Sequence, residues 1–131
     1  MTGIDTNLLV RFLVNDDEIQ AKEVLRIFKN AERKKDYFFV SILVTLELIW
    51  VLKAVYNLPR EQIVLAIESL ISMPILKLEK LDAIHKMVSE SKQKSNDLSD
   101  LLIAHCSFLS GCEKILTFDK RAAKHNLFKQ I

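Results

Sequence analysis

The sequence predicts an α/β protein, a three-layer α/β/α sandwich around a short parallel sheet. Short apolar runs alternate with longer segments of helical periodicity, and strands separated by helices pair in parallel. The chain has 131 residues, of which 50% are hydrophobic and 27% charged, so a single globular domain over 1–131 is expected. Only 2 glycines and 2 prolines are present, which disfavours linker-rich and many-turn all-β architectures.

In the first half of the chain, capping residues and apolar patterns give the predicted elements. Asn15, Asp16 and Asp17 are suitable caps for a helix with a periodic apolar face. The predicted elements are a strand at 2–4, a helical stretch at 8–14, a helix from these caps to about 32, a strand at 38–41 and a helix at 42–55.

The second half continues the alternation. Pro59 suits the first turn of a helix, residues 75–78 alternate as an edge strand does, and Gly111 suits a helix end. The predicted elements are a helix opening at 58–61, the edge strand at 75–78, an amphipathic helix around 81–88, a helix from Asn96/Asp97 to about 109, and a strand at 115–117.

The compartment expected is the cytoplasm. Cys106 and Cys112 do not form a disulfide framework, and the N-terminus lacks the basic region of a secretory signal. Residues 37–56 are long enough to span a bilayer, but Glu47 at their centre disfavours this interpretation. The three histidines, His85, His105 and His125, are far apart in sequence and are expected to be structural or incidental.

Most acidic residues have an ordinary local explanation. Glu23 precedes Arg26 by three residues, and Glu90 precedes Lys94 by four, as in exposed helix pairs. Glu47 differs, because its helical neighbours at three and four residues are apolar and a buried carboxylate needs a partner. The same reasoning applies to Asp100.

The remaining acids of interest lie where the carboxyl edge of a parallel sheet is expected. Asp5 follows the first strand and Asp119 the last, although each is also a suitable turn or cap residue. Asp97 lies three residues before Asp100 and is either a further ligand or a helix cap. Oxygen ligands without nearby histidine or cysteine suit Mg²⁺ or Mn²⁺, as one or two ions.

Four segments together resemble the PIN domain, and most closely the VapC-like toxin of VapBC-type toxin–antitoxin pairs. They read GIDTNLLVRFL from Gly3, ELIWVL from Glu47, DLSDLLIAH from Asp97 and LTFDK before and after Asp119. The resemblance covers about residues 3–124. The family often has an aromatic residue where this chain has Leu98, which affects packing and leaves the acids intact.

The resemblance implies a metal-dependent endoribonuclease that leaves 5′-phosphate and 3′-hydroxyl ends. It implies a homodimer and a small antitoxin partner, while Glu47 within residues 37–56 already disfavours a membrane association. Basic residues near the site are candidates to bind RNA. The implied ligands are Asp5, Glu47, Asp100 and Asp119 with Asp97 as a further acid, the supporting polar residues are Thr6, Asn7, Ser41 and Thr117, and the RNA-binding candidates are Arg11, Lys120 and Arg121.

Three alternatives remain open from the sequence. One is a PIN-fold protein that acts on DNA, and a second is a scaffold of the same fold without activity. The third is a receiver-like signalling domain, which would need paired acids after the first strand, where only Asp5 occurs.

The net charge of +2 argues at first against a nucleic-acid partner. Setting the 5 candidate ligands aside from the 17 acidic residues leaves 12, against 19 basic residues. A basic body around one acidic site is therefore expected, and such a body is compatible with RNA.

Overall fold

The computed structural model describes residues 1–131, which group into two compact units, Met1–Glu79 and Lys80–Ile131. Each unit contains its own parallel strands and its own helices. The predicted α/β class with a short parallel sheet is confirmed, but the strand before Asp119, at 115–117, pairs in a second parallel sheet and not in the sheet that holds the strand before Asp5. The expectation of a single domain over 1–131 stays a prediction.

The first unit has a three-stranded sheet formed by β1 (Thr2–Gly3), β2 (Phe38–Val40) and β3 (Leu76–Leu78). The strand order is β1-β2-β3, and both pairings are parallel. β3 lies at an edge of this sheet, as its alternating pattern predicts. All three carboxyl ends therefore lie along one edge of the sheet.

Four helices belong to the first unit, and their ends follow the capping residues. Asp17 accepts a hydrogen bond from the Gln20 N–H at 3.0 Å and so begins the second helix. Asn15 and Lys35 end the first two helices in the left-handed conformation. The helices are α1 (Thr6–Val14), α2 (Glu18–Lys34), α3 (Ile42–Ala54) and α4 (Arg60–Ile71).

The core of the first unit forms where α1 packs on α2 and α3, and α3 on α4. Leu9 of α1 and Leu52 of α3 are fully buried, as is Val40 of the central strand. Burial of each such side chain stabilises the fold by roughly 1.5–3 kcal/mol. The sheet edge is thus held by apolar contacts on these helices.

The second unit contains α5 (Leu81–Ser91), α6 (Leu98–Leu109), β4 (Ile115–Thr117), a 3₁₀ turn (Ala122–Lys124) and β5 (Phe128–Gln130). α5 packs on α6, and β4 pairs in parallel with β5. A small core joins α6, the 3₁₀ turn and β5 through three buried side chains, Ala104, Ala122 and Phe128. β5 and the 3₁₀ turn were not predicted from the sequence.

The apolar segment at 37–56 forms β2 and α3 together with the residues that flank them. No helix in the structure has the length and apolar character needed to cross a membrane.

Candidate functional site

Asp5 is placed at the carboxyl end of β1 by the strand itself and by the start of α1. Its Oδ1 accepts a hydrogen bond from the Thr6 N–H at 2.7 Å, which makes Asp5 the N-cap of α1. The side chain is otherwise exposed. Because the hydrogen bond goes to Oδ1, the second oxygen is available to a ligand.

Glu47 lies on α3, but the sequence-based expectation that its carboxylate is buried is wrong. The sequence predicts a buried carboxylate, whereas Glu47 is exposed. Its apolar neighbours Leu43 and Trp50 are themselves 72% and 61% exposed. The helix buries a different face, so Glu47 needs no partner to be stable, and its role as a ligand stays a prediction.

Two buried hydroxyls adjoin these acids in sequence. Thr6 follows Asp5 and Thr45 precedes Glu47 by two residues, and each is only 2% exposed. The Oγ1 atom of each has no hydrogen-bond partner. A buried hydroxyl without a partner costs free energy, so a polar group near these atoms would be stabilising.

The remaining polar residues proposed to support the site in the first unit lie at the starts of helices. Ser41 follows β2, and its Oγ accepts from the Leu43 N–H at 3.0 Å as the N-cap of α3. Asn7 is exposed in the first turn of α1.

A further acid at this sheet edge was missed by sequence reasoning. Glu79 directly follows β3, and its Oε1 accepts from the Ile42 N–H at 2.8 Å. It therefore caps the start of α3 together with Ser41. Its position after a strand, the same signal that identified Asp5, could have revealed it.

In the second unit, Asp97 and Asp100 lie at the start of α6. Asp97 is the N-cap of α6 and accepts from the Ser99 N–H at 3.2 Å, so the capping alternative is confirmed, and its role as a metal ligand stays a prediction. Asp100 lies in the first turn and is half-buried. Acidic residues are common at such positions, where backbone N–H groups of the first helical turn lack partners within the helix.

Asp119 follows β4 in a tightly defined turn. Its Oδ1 accepts from the N–H groups of Arg121 and Ala122 at 2.8 and 3.2 Å. Its own N–H donates to the Thr117 Oγ1 at 3.0 Å. Thr117 thus orients Asp119, and the second carboxylate oxygen is available to a ligand.

The candidate RNA-binding residues differ in whether their side chains already form hydrogen bonds within the protein. Lys120 and Arg121 are exposed beside Asp119. Arg11 donates from Nε to Gln20 Oε1 at 2.6 Å and from Nη1 to Asp16 Oδ1 at 3.1 Å and Tyr56 Oη at 3.3 Å. The hydrogen bond that Arg11 donates to the Tyr56 hydroxyl oxygen, together with the charge of Asp16, raises the pKa of the Arg11 guanidinium.

Arg11 therefore has a structural role, joining the end of α1 to α2 and to the residues that follow α3. A contact with RNA would have to compete with these three partners. Lys120 and Arg121 remain the stronger candidates to bind a phosphate backbone.

The predicted ligands are divided between the units. Asp5 and Glu47 belong to the first, and Asp97, Asp100 and Asp119 to the second. Their convergence on one metal ion stays a prediction. The residues fit such an ion chemically, since all are carboxylates, which Mg²⁺ and Mn²⁺ prefer, and the partnerless Thr6 hydroxyl adjoins one of them.

A second cluster, which the sequence did not predict, lies within the second unit. Glu90 accepts hydrogen bonds from His105 at 2.6 Å and from His125 at 2.7 Å. The expected pairing of Glu90 with Lys94 is present at 3.5 Å, but the Glu90 side chain is only 19% exposed. Burial raises the pKa of Glu90, and the hydrogen bonds from both histidines outweigh this and lower it.

A protein-family model described as PIN domain matches residues 4–126 of the chain. The match includes every predicted ligand, from Asp5 to Asp119. No curated protein matches the chain.

Proposed function

The chain belongs to the PIN domain family, whose fold is a nuclease fold, and from this we propose that it is a metal-dependent endoribonuclease. The proposal is supported chiefly by the arrangement of Asp5 and Asp119. Each follows a parallel strand and uses Oδ1 to cap the next turn, which orients the carboxylate. Carboxylates fixed in this way are suited to ligating a hard cation.

The residues that would hold one or two Mg²⁺ or Mn²⁺ ions are Asp5, Glu47, Asp97, Asp100 and Asp119. When bound, such ions supply a water of lowered pKa and positive charge near the phosphodiester. The chain itself positions these acids: Thr117 orients Asp119, and the helix start orients Asp97 and Asp100. Lys120 and Arg121, exposed beside Asp119, would bind the phosphate backbone of the RNA.

The biological role that we propose is that of a cytoplasmic toxin, active as a homodimer and inhibited by a small antitoxin. This role rests on the resemblance of the four sequence segments to VapC-like toxins. Expression of the chain alone should arrest growth, and the Asp5→Asn variant should not. Normal growth with full expression of active enzyme would contradict the toxin role while leaving the nuclease proposal intact.

The nuclease activity is tested by Mn²⁺-dependent cleavage of RNA with the variants Asp5→Asn and Asp100→Asn. Both should lose cleavage by at least about a hundredfold, because each removes a charged ligand. Binding of Mn²⁺, followed by calorimetry, should weaken in parallel. A DNA oligonucleotide of the same sequence serves as the second substrate, and preferential cleavage of DNA would overturn the assignment to RNA.

Matched controls exist for both variants. Asp36→Asn is the control for Asp5→Asn, because Asp36 Oδ1 also accepts from the following N–H, that of Tyr37, at 3.0 Å. Asp82→Asn is the control for Asp100→Asn, because both residues lie in the first turn of a helix. Full cleavage by Asp5→Asn and Asp100→Asn, or equal loss in the controls, would contradict the proposed site.

A further inference from the structure

We infer that Glu90, His105 and His125 form an acid-sensitive clasp that fastens the C-terminal segment, residues 122–131, to α5 and α6. The three residues come from three separate parts of the second unit. Glu90 lies on α5, His105 on α6, and His125 directly after the 3₁₀ turn. One carboxylate therefore holds together segments that are 15 and 35 residues away in sequence.

The clasp is largely removed from water. The His125 side chain is 1% exposed and that of His105 is 9% exposed. Glu90 uses Oε1 for His105 and Oε2 for His125, so both of its oxygens are engaged. The two imidazole rings meet edge to face with centroids 5.7 Å apart, which fixes their relative orientation.

The backbone assigns the protons of His125. The Leu127 N–H lies 3.1 Å from the Nδ1 of His125, and a backbone N–H can only donate. Nδ1 must therefore carry the lone pair, and Nε2 carries the proton that is donated to Glu90. Because an ionised carboxylate only accepts, the His105 Nε2 donates to Glu90 as well.

This proton arrangement distinguishes the clasp from a metal site. The three ligand atoms lie within 4.8 Å of one another, close enough to hold an ion. A metal would need the lone pair of the His125 Nε2, which is protonated here. A metal-binding histidine also donates from its second nitrogen, whereas the His125 Nδ1 accepts.

The clasp controls the end of the chain because β5 begins three residues after His125. The Ile115 N–H donates to the Leu127 carbonyl at 2.8 Å, and the Ile131 N–H donates to the Thr117 carbonyl at 3.0 Å. Phe128 packs against His125 with ring centroids 6.2 Å apart. Release of His125 would therefore loosen both the pairing of β4 with β5 and the small core around Phe128.

Protonation by acid would disrupt the clasp at two groups, the Glu90 carboxylate and the His125 Nδ1. A proton on Glu90 removes an acceptor from the two imidazoles, and a proton on the His125 Nδ1 places a second donor opposite the Leu127 N–H. A proton on the His105 Nδ1 leaves its bond to Glu90 in place. The other charged or titratable groups nearby are Lys94, 3.5 Å from Glu90, and Asp82, His85 and Lys86, which line the same groove of about 760 Å³.

The proton assignment is tested without any variant by long-range ¹H–¹⁵N NMR spectra of the imidazoles at neutral pH. Both His105 and His125 should show the Nε2–H tautomer, and His125 as the Nδ1–H tautomer would overturn the inference. Zn²⁺ titration provides a second test. The wild type, His125→Gln and the exposed control His85→Gln are compared. The clasp is supported if all three bind Zn²⁺ equally or if none binds it. A Zn²⁺ site that is lost only in His125→Gln overturns the clasp.

The acid response is measured by amide hydrogen exchange, as protection factors from about pH 7 down to about pH 3, because the lowered pKa of Glu90 places its protonation below the ordinary carboxyl range. The amides of Ile115, Leu127 and Ile131 should lose protection about tenfold or more, while those of α4 change little. Glu90→Gln should show the reduced protection already at neutral pH, and Glu113→Gln, an exposed control in the same unit, should behave as wild type. Protection at these three amides that does not depend on pH would overturn the clasp.

Discussion

At the scale of single residues, the aspartates of the candidate site combine two tasks in one carboxylate. Asp119 caps the turn after β4 through Oδ1, and its second oxygen remains for a ligand. A substitution to Asn keeps an acceptor for the cap but removes the charge, whereas Ala removes both. The two substitutions therefore separate stability from activity.

We expect Asp119→Ala to lower the free energy of unfolding by about 1 kcal/mol, the usual value of a lost cap, and Asp119→Asn to change it little. Both variants should lose metal-dependent RNA cleavage to the same extent. Urea denaturation and a cleavage assay at saturating Mn²⁺ provide the two measurements. An Asn variant that cleaves normally would show that Asp119 is only a cap.

The Arg11 network gives a prediction about pH. The pKa of Asp16 is lowered chiefly by the hydrogen bond from the Tyr56 hydroxyl, which donates to Oδ2 at 2.8 Å, with Arg11 adding to the effect. A carboxyl whose pKa is lower in the folded state than in the unfolded chain stabilises the folded protein at pH values above the unfolded-state pKa. This stabilisation is lost as the pH falls through the folded-state pKa.

Tyr56→Phe should raise the pKa of Asp16 towards its ordinary value, as followed by NMR of the carboxyl carbon. It should also weaken the decline of stability with acid below about pH 4. Tyr37→Phe is the control, because the Tyr37 ring contacts Lys77 instead of an acid. An unchanged Asp16 titration in Tyr56→Phe would assign the lowered pKa to Arg11 alone.

The residues that sequence reasoning misjudged are those whose surroundings depend on tertiary structure. Glu47 was expected to be buried because its helical neighbours are apolar, but two of these neighbours face solvent. Glu90 was expected to be an ordinary surface acid because Lys94 lies one turn away. Its histidine partners lie 15 and 35 residues away, a separation that no local pattern reveals.

At the scale of elements, the helices and four of the five strands could be predicted from periodicity and capping residues. β5 could not, because Phe128 is the only apolar residue in its three positions and no alternation is visible. It exists because β4 supplies hydrogen bonds and α6 supplies an apolar surface, through Ala104, for Phe128.

Helix ends offer a prediction at this scale. Lys35 ends α2 with a φ of 54°, in the left-handed region that costs a side chain free energy and suits glycine. Lys35→Gly should therefore stabilise the protein by about 0.5–1 kcal/mol, measured by urea denaturation. Lys29→Gly, in the middle of the same helix, should instead destabilise it by about 1 kcal/mol. A loss of stability in Lys35→Gly would contradict this interpretation of the helix end.

At the scale of the whole molecule, the family was predictable because four short segments occur in the expected order over nearly the full chain. The meeting of acids from both units was predicted from the carboxyl edge of a parallel sheet, and it stays a prediction. If the acids do meet at one site, the charged residues on the rest of the protein are mainly basic. Binding of RNA should then depend strongly on salt, since phosphate contacts release counterions.

The double variant Lys120→Ala, Arg121→Ala tests this dependence beside the candidate site. It should raise KM for RNA with little change in kcat, because these side chains would bind the phosphate backbone before the reaction. The slope of log KM against log salt concentration should fall by about 1–2, in line with the loss of two phosphate contacts. The control, Arg33→Ala with Lys34→Ala, removes the same charge from the last turn of α2 and should leave the slope unchanged. Equal slopes for the two double variants would show that the charge near Asp119 acts only through the total charge of the protein.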